Sequence, residues 1–173
     1  MALFKGKYKI DSTRLQSWDY SWPGWYYVTI VVKNRDNAFG SVVRQRIELS
    51  PLGVIAEGFW NDIPQHHDGI ALDYSVVMPN HVHGIVILEG LKREDKSGDL
   101  PWKVSTSYQF SRISPARGSL SVVIRSFKAA VTKWAHENGL SGFQWQSRFY
   151  DHIIRDEKDL HRIREYIAGN PLR

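Results

Sequence analysis

Residues 78 to 87 read MPNHVHGIVI, a β-branched run that opens on two histidines. His81 and His83 stand among Val76, Val77, Val82, Ile85, Val86, Ile87 and Leu88. β-branched residues dominate the run, so it is expected to be a strand from His81 to Leu88. Side chains two apart on a strand leave the same face, which sets the two imidazoles side by side. Two neutral imidazoles at that spacing suit a divalent metal. The same two histidines also read as a hydrogen-bonded or half-exposed pair on a sheet face, and the rest of the chain has to decide between the readings.

Earlier in the chain, WYYVTIVVK at residues 25–33 predicts a strand, and Val42 to Leu49 a second, with Asn34 to Gly40 as the turn between them. Leu52, Ile55, Ala56, Phe59, Trp60 and Ile63 recur at helical spacing, and Pro64 is expected to end that helix. Ile70 to Val77 predicts a third strand, and Pro79-Asn80 breaks the chain before His81. Residues 90–118 are polar and rich in Ser, Gly and Lys, and read as a flexible connection or short insertion. From Ser119 to Gly139, Leu120, Val123, Ile124, Phe127, Val131 and Trp134 form one apolar helical stripe. Residues 143–154 read as extended, and Asp156 as the cap of a last helix to about Ala168. The order predicts a single α+β domain over residues 1–173, of ferredoxin-like type: an antiparallel sheet with helices on one face and the histidines on a central strand.

The chain has no cysteine, which excludes disulfides, thiolate zinc sites and thiol catalysis. No apolar run reaches about 18 residues and no apolar signal core opens the sequence, so a cytoplasmic, non-membrane protein is expected. Charge is unevenly placed. Between Lys103 and Arg155 eight basic residues face only Glu137 and Asp151, a surplus larger than the net +5 of the whole chain. Such a block suggests a polyanion, most commonly nucleic acid, though a solvated basic surface reads from it equally.

Two histidines leave a metal incompletely ligated, and residues 143–155 hold the densest set of further chemistry. Trp145, Gln146, Arg148, Phe149, Tyr150, Asp151, His152 and Arg155 cluster there. A tyrosine can attack phosphorus once its ionisation is eased. Three segments then carry a resemblance: MPNHVHGIVI, the basic helix with SFKAAVTK, and WQSRFYDHIIRDEKDLHRIREYIAGNP. With YYVTIVVKNR and ELSPLGVIAEGFWNDIP they cover about residues 18–171, and together they resemble the IS200-like transposases, most nearly the REP-associated tyrosine transposases.

That resemblance implies an HUH endonuclease: a ferredoxin-like core, a magnesium or manganese ion on His81 and His83, and a tyrosine that cuts single-stranded DNA and stays attached as a 5′-phosphotyrosine. By motif, Tyr150 is the expected nucleophile. It implies DNA transposition or recombination on hairpin-forming repeats, a nucleoid setting, and either a monomer or a homodimer. The simplest relatives place a glutamine ligand on a helix four residues after the tyrosine; from Tyr150 that position is Ile154. His152, on Tyr150's face of an extended segment, is the candidate third ligand instead, with Asp151 next. Arg125, Lys128, Arg148 and Arg155 are the expected phosphate contacts, with Trp145 and Phe149 as stacking platforms or core. A domesticated, inactive DNA-binding protein is the competing reading. A histidine-triad hydrolase needs a third histidine where Ile85 stands.

Overall fold

A computed structural model describes residues 18–89 and 118–170. The chain runs β1 (Gly24–Val31), β2 (Gly40–Val43), β3 (Arg46–Leu49), α1 (Pro51–Asn61), α2 (Ile63–His66), β4 (Ile70–Met78), β5 (His81–Leu88), α3 (Leu120–Glu137), β6 (Tyr150–Ile154) and α4 (Glu157–Gly169). The main sheet is antiparallel in the order β4-β5-β1-β6, so the histidine strand β5 is an inner one. This is the expected α+β architecture. The proposed connection at 90–118 falls almost wholly outside the described residues.

Alternation sorts the side chains of β1 and β5 onto two faces. Tyr26, Val28, Ile30, Val82 and Val86 are fully buried on one face, with Leu52 and Trp60 of α1 and Val123, Ile124 and Phe127 of α3. Tyr27 and Ile85 leave the other face and pack against Ile163 and Ile167 of α4. The helices therefore do not all lie on one side, as the sequence reading expected. β1 and β5 are apolar at nearly every position, and a strand apolar on both faces needs cover on both. Leu160, Ile163 and Ile167 supply it, and they lay α4 across the histidine face.

Three local expectations shift. Val42 to Leu49 is a hairpin, not one strand, because Arg44 and Gln45 take left-handed φ of 50° and 63° and close a two-residue turn. Pro64 stands in the first turn of α2, where its missing N–H is harmless, and α1 has already stopped at Asn61. The extended stretch narrows to β6, preceded by a single bridge from Trp145 to Val32. Asp156 does cap α4, its carboxylate accepting from the Asp159 amide at 2.8 Å.

Gly84 fixes the layer behind the histidines. A Cβ there would sit 2.2 Å from Cζ2 of Trp60, which is buried edge-on to Phe127. Gly84→Ala is therefore expected to lower stability by about 1–3 kcal/mol through overpacking. Thermal unfolding should show a drop of roughly 2–4 °C for each kcal/mol; an unchanged midpoint would contradict the packing described.

Candidate active site

β5 brings His81 and His83 together as its period requires: their Nε2 atoms are 2.9 Å apart and the ring centroids 4.4 Å. Each Nδ1 is held from behind. His81 Nδ1 lies 2.6 Å from Asn80 Oδ1, an oxygen that only accepts, so His81 carries its proton there and turns the Nε2 lone pair inward. His83 Nδ1 lies 2.7 Å from the Tyr27 hydroxyl and 2.9 Å from Thr29 Oγ1. Hydroxyls donate or accept, so they serve either His83 tautomer. Moving the His83 proton from Nε2 to Nδ1 gives up the Nε2–Nε2 hydrogen bond but keeps the hydroxyl partners at Nδ1, and it frees a second lone pair beside that of His81.

Burial keeps both rings neutral. It pushes His83 down to about 3, with His81 adding to the effect, and it lowers His81 together with the charge of Arg35. Tyr27 is pushed up to about 12 by burial, against the Thr29 hydrogen bond, so it stays a phenol. Neutral imidazoles with anchored Nδ1 atoms and converging Nε2 atoms fit a divalent cation as part of its ligand set. Among the described residues no group of three or more His, Cys, Asp or Glu converges to hold a metal.

His152 is not gathered with the pair. It does share Tyr150's sheet face, opposite Tyr27, but its Nε2 is 2.6 Å from Asp159 Oδ2 on α4. Arg162 holds the other oxygen of Asp159 at 2.6 Å. Burial raises the Asp159 pKa, but the bonds from Arg162 and His152 outweigh it and hold the carboxyl below its ordinary value. The contact arises because α4 crosses this face, which the one-sided helix layer of the sequence reading left out.

Two tyrosines flank the imidazoles. Tyr150 lies in register: His83 pairs with Thr29, and Thr29 with Tyr150, so the three point to one face in one row. Two strand spacings put the Cα atoms of His83 and Tyr150 about 10 Å apart. Tyr150 is 53% exposed and borders an open groove of about 1420 Å³ that Arg155, Lys158 and Arg162 also line, and that His81 and His83 do not. Tyr166, on α4, is nearer. Its ring centroid is 5.4 Å from that of His83, at 69°, and 6.4 Å from that of Tyr27. It is still 39% exposed.

The sequence reading missed Tyr166, and a signal for it was present. Of the eight tyrosines, only Tyr166 has an amide side chain four residues on, Asn170. In a helix that spacing places the two on one stripe. Nδ2 of Asn170 is buried, with no hydrogen-bond partner.

The expected DNA contacts divide between the two faces. Arg148 and Arg155 are exposed on either side of β6. Arg125 and Lys128 belong to α3, on the face away from the histidines. Lys128 is committed: its Nζ donates to the Gln146 carbonyl at 2.5 Å, Trp145 Nε1 donates to the Lys128 carbonyl at 3.1 Å, and burial lowers the ammonium pKa. It tethers the chain entering β6. Trp145 and Phe149 pack against the core.

The α+β fold described above is that of a tyrosine transposase. A solved structure of a REP-associated tyrosine transposase bound to a REP hairpin matches with a TM-score of 0.59 at 20% identity, over 94% of this chain and 73% of that one. In sequence, the chain is 38% identical over 163 residues to an uncharacterized protein of Haemophilus influenzae, covering 93% of this chain and 87% of that protein, and it belongs to the same family. A second Haemophilus influenzae protein, named "Putative REP-associated tyrosine transposase", is 27% identical over 166 residues, 90% of this chain and 74% of its own length. The resemblance to the IS200-like group read from the motifs thus holds in sequence and fold alike. No family model matches the chain. Among the described residues no helix is long and apolar enough to cross a membrane.

Proposed function

We propose that this chain is a metal-dependent, single-strand DNA endonuclease and strand transferase of the transposase kind, acting on hairpin-forming DNA through a covalent phosphotyrosine. The observation that carries the reading is the ring contact of helix-borne Tyr166 with His83, the inner member of a neutral imidazole pair. His81 and His83 are the metal donors, and Asn170 supplies an amide at the spacing the resemblance expects. An amide oxygen is a hard donor of the kind magnesium and manganese accept. A divalent ion held there would neutralise charge on the phosphate oxygens.

The residues then act as follows. The Tyr166 hydroxyl gives up its proton and its oxygen attacks phosphorus. The bond from phosphorus to the 3′-oxygen breaks, and that oxygen leaves as a 3′-hydroxyl after taking a proton. One phosphodiester replaces another, so a free 3′-hydroxyl can reverse the step and join strands. A hairpin substrate is proposed because the solved relative was bound to one. Exposed Arg148 and Arg155 are phosphate contacts along the β6 side. His152, gripped by Asp159, orients the β6 edge in this reading.

A second assignment keeps the activity and makes Tyr150 the nucleophile, favoured by its register with His83 and its exposure. Covalent trapping tests both. Labelled single-stranded hairpin oligonucleotides, incubated with manganese and the protein, should give an adduct on a denaturing gel from wild type and Tyr150→Phe but none from Tyr166→Phe. The reverse pattern transfers the role to Tyr150. Tight binding with no adduct under any divalent metal would point to a DNA-binding protein without catalysis.

A further inference from the structure

Beside the imidazole pair lies a feature that the proposed chemistry does not use. The chain leaves β1 through a turn at Lys33–Arg35, where Asn34 and Arg35 take left-handed φ of 57° and 60°. Asparagine tolerates that region, whereas an arginine in it is strained. Asn80 braces the turn. Its Nδ2 donates to the Arg35 carbonyl at 3.3 Å, and its backbone carbonyl accepts from the Val32 amide at 2.9 Å. The same side chain, through Oδ1, holds Nδ1 of His81 at 2.6 Å. One asparagine therefore fixes both the backbone of Arg35 and the ring of His81.

We infer that Arg35 is a phosphate-binding residue of this site, positioned beside His81 by Asn80, and that it grips the DNA backbone next to the cleavage point. The inference rests on the endonuclease reading above. The imidazoles bring no charge of their own, and a strand entering the site is anionic. Three other cations are already engaged: Lys33 with Gln144 at 2.7 Å, Arg162 with Asp159, Arg164 with Asp73 at 2.7 Å. Arg125 and Lys128 lie on the far face. Arg35 is exposed and, among the described residues, pairs with no carboxylate. A guanidinium offers the planar fork that matches two phosphate oxygens.

The test uses the full chain, manganese and labelled hairpin oligonucleotides in which phosphates around the cleavage point are replaced, one at a time, by neutral methylphosphonates. Arg35→Gln should fold with the wild-type melting temperature and cleave about 10–100-fold more slowly, since one charge-assisted contact to the reacting region is lost. Arg35→Lys should recover part of the rate. The methylphosphonate position that most weakens wild-type binding should cost Arg35→Gln nothing further. Wild-type cleavage by Arg35→Gln overturns the inference and leaves the endonuclease reading standing. So does a slowed Arg35→Gln that every neutral linkage weakens as much as wild type, for then the effect is structural. A wild-type chain that cleaves none of the unmodified hairpins overturns the parent reading and this inference with it.

Discussion

Tyr166→Phe is expected to reduce cleavage of a single-stranded hairpin to background, a loss of roughly 10³-fold or more, equivalent to about 4 kcal/mol or more in barrier. The substitution removes one oxygen and keeps the ring. The edge-on contacts of that ring with His83 and Tyr27 should survive, and α4 remains anchored by Ile163 and Ile167 and by Arg164 on Asp73. Stability should change little, so a lost rate reports chemistry and not folding. The same change at Tyr150 deletes an exposed hydroxyl beside the groove and is expected to alter the rate by a few-fold at most. Single-turnover rates with the two variants in parallel, each checked by thermal unfolding, decide the matter. Equal losses in both would mean that neither alone is the nucleophile.

His83→Ala should be nearly as damaging, with the rate falling by about 10²-fold or more and manganese no longer stimulating it. His83 is 4% exposed, and its Nδ1 is lodged between the Tyr27 and Thr29 hydroxyls. Its loss removes a donor and leaves those two hydroxyls without their shared partner, so some loss of stability should accompany the lost activity. His81→Ala separates the two effects, because His81 is only half-buried and its ring is held by Asn80 and by the neighbouring His83. It should cost the metal response while sparing the fold. Calorimetric titration with manganese reads this directly: heat of binding in wild type, none in the double alanine variant. Undiminished metal-stimulated cleavage by His81→Ala would remove the pair from the ligand set.

How far the sequence carries the fold can be seen element by element. β5 runs from His81 to Leu88 as expected, because an unbroken β-branched run bounded by Pro79-Asn80 leaves little freedom. α3 and the Asp156 cap of α4 follow from an apolar stripe and a side chain suited to its position. The β2–β3 hairpin was not legible, since Arg44-Gln45 lacks the Gly or Asn that signals such a turn. The side on which α4 lies was legible only in part: apolar residues on both faces of β1 and β5 called for two layers of cover. At the site, the imidazole pair was readable from period two alone. Tyr150 stood out because aromatic and basic residues crowd around it in sequence. Tyr166 sits in a charged helical stretch, and its proximity to His83 appears only once α4 is folded across the sheet. His152 looked free to ligate until that same helix brought Asp159 to it.

Whether a phosphotyrosine forms on α4 against the imidazole pair is read by trapping the adduct with wild-type protein, digesting with trypsin and locating the nucleotide by mass spectrometry. Cleavage after Arg148, Arg155 and Arg164 separates the two tyrosines into FYDHIIR, residues 149–155, and EYIAGNPLR, residues 165–173. The modification is expected on EYIAGNPLR, at Tyr166. A modification on FYDHIIR, or cleaved DNA with no modified peptide, would contradict it.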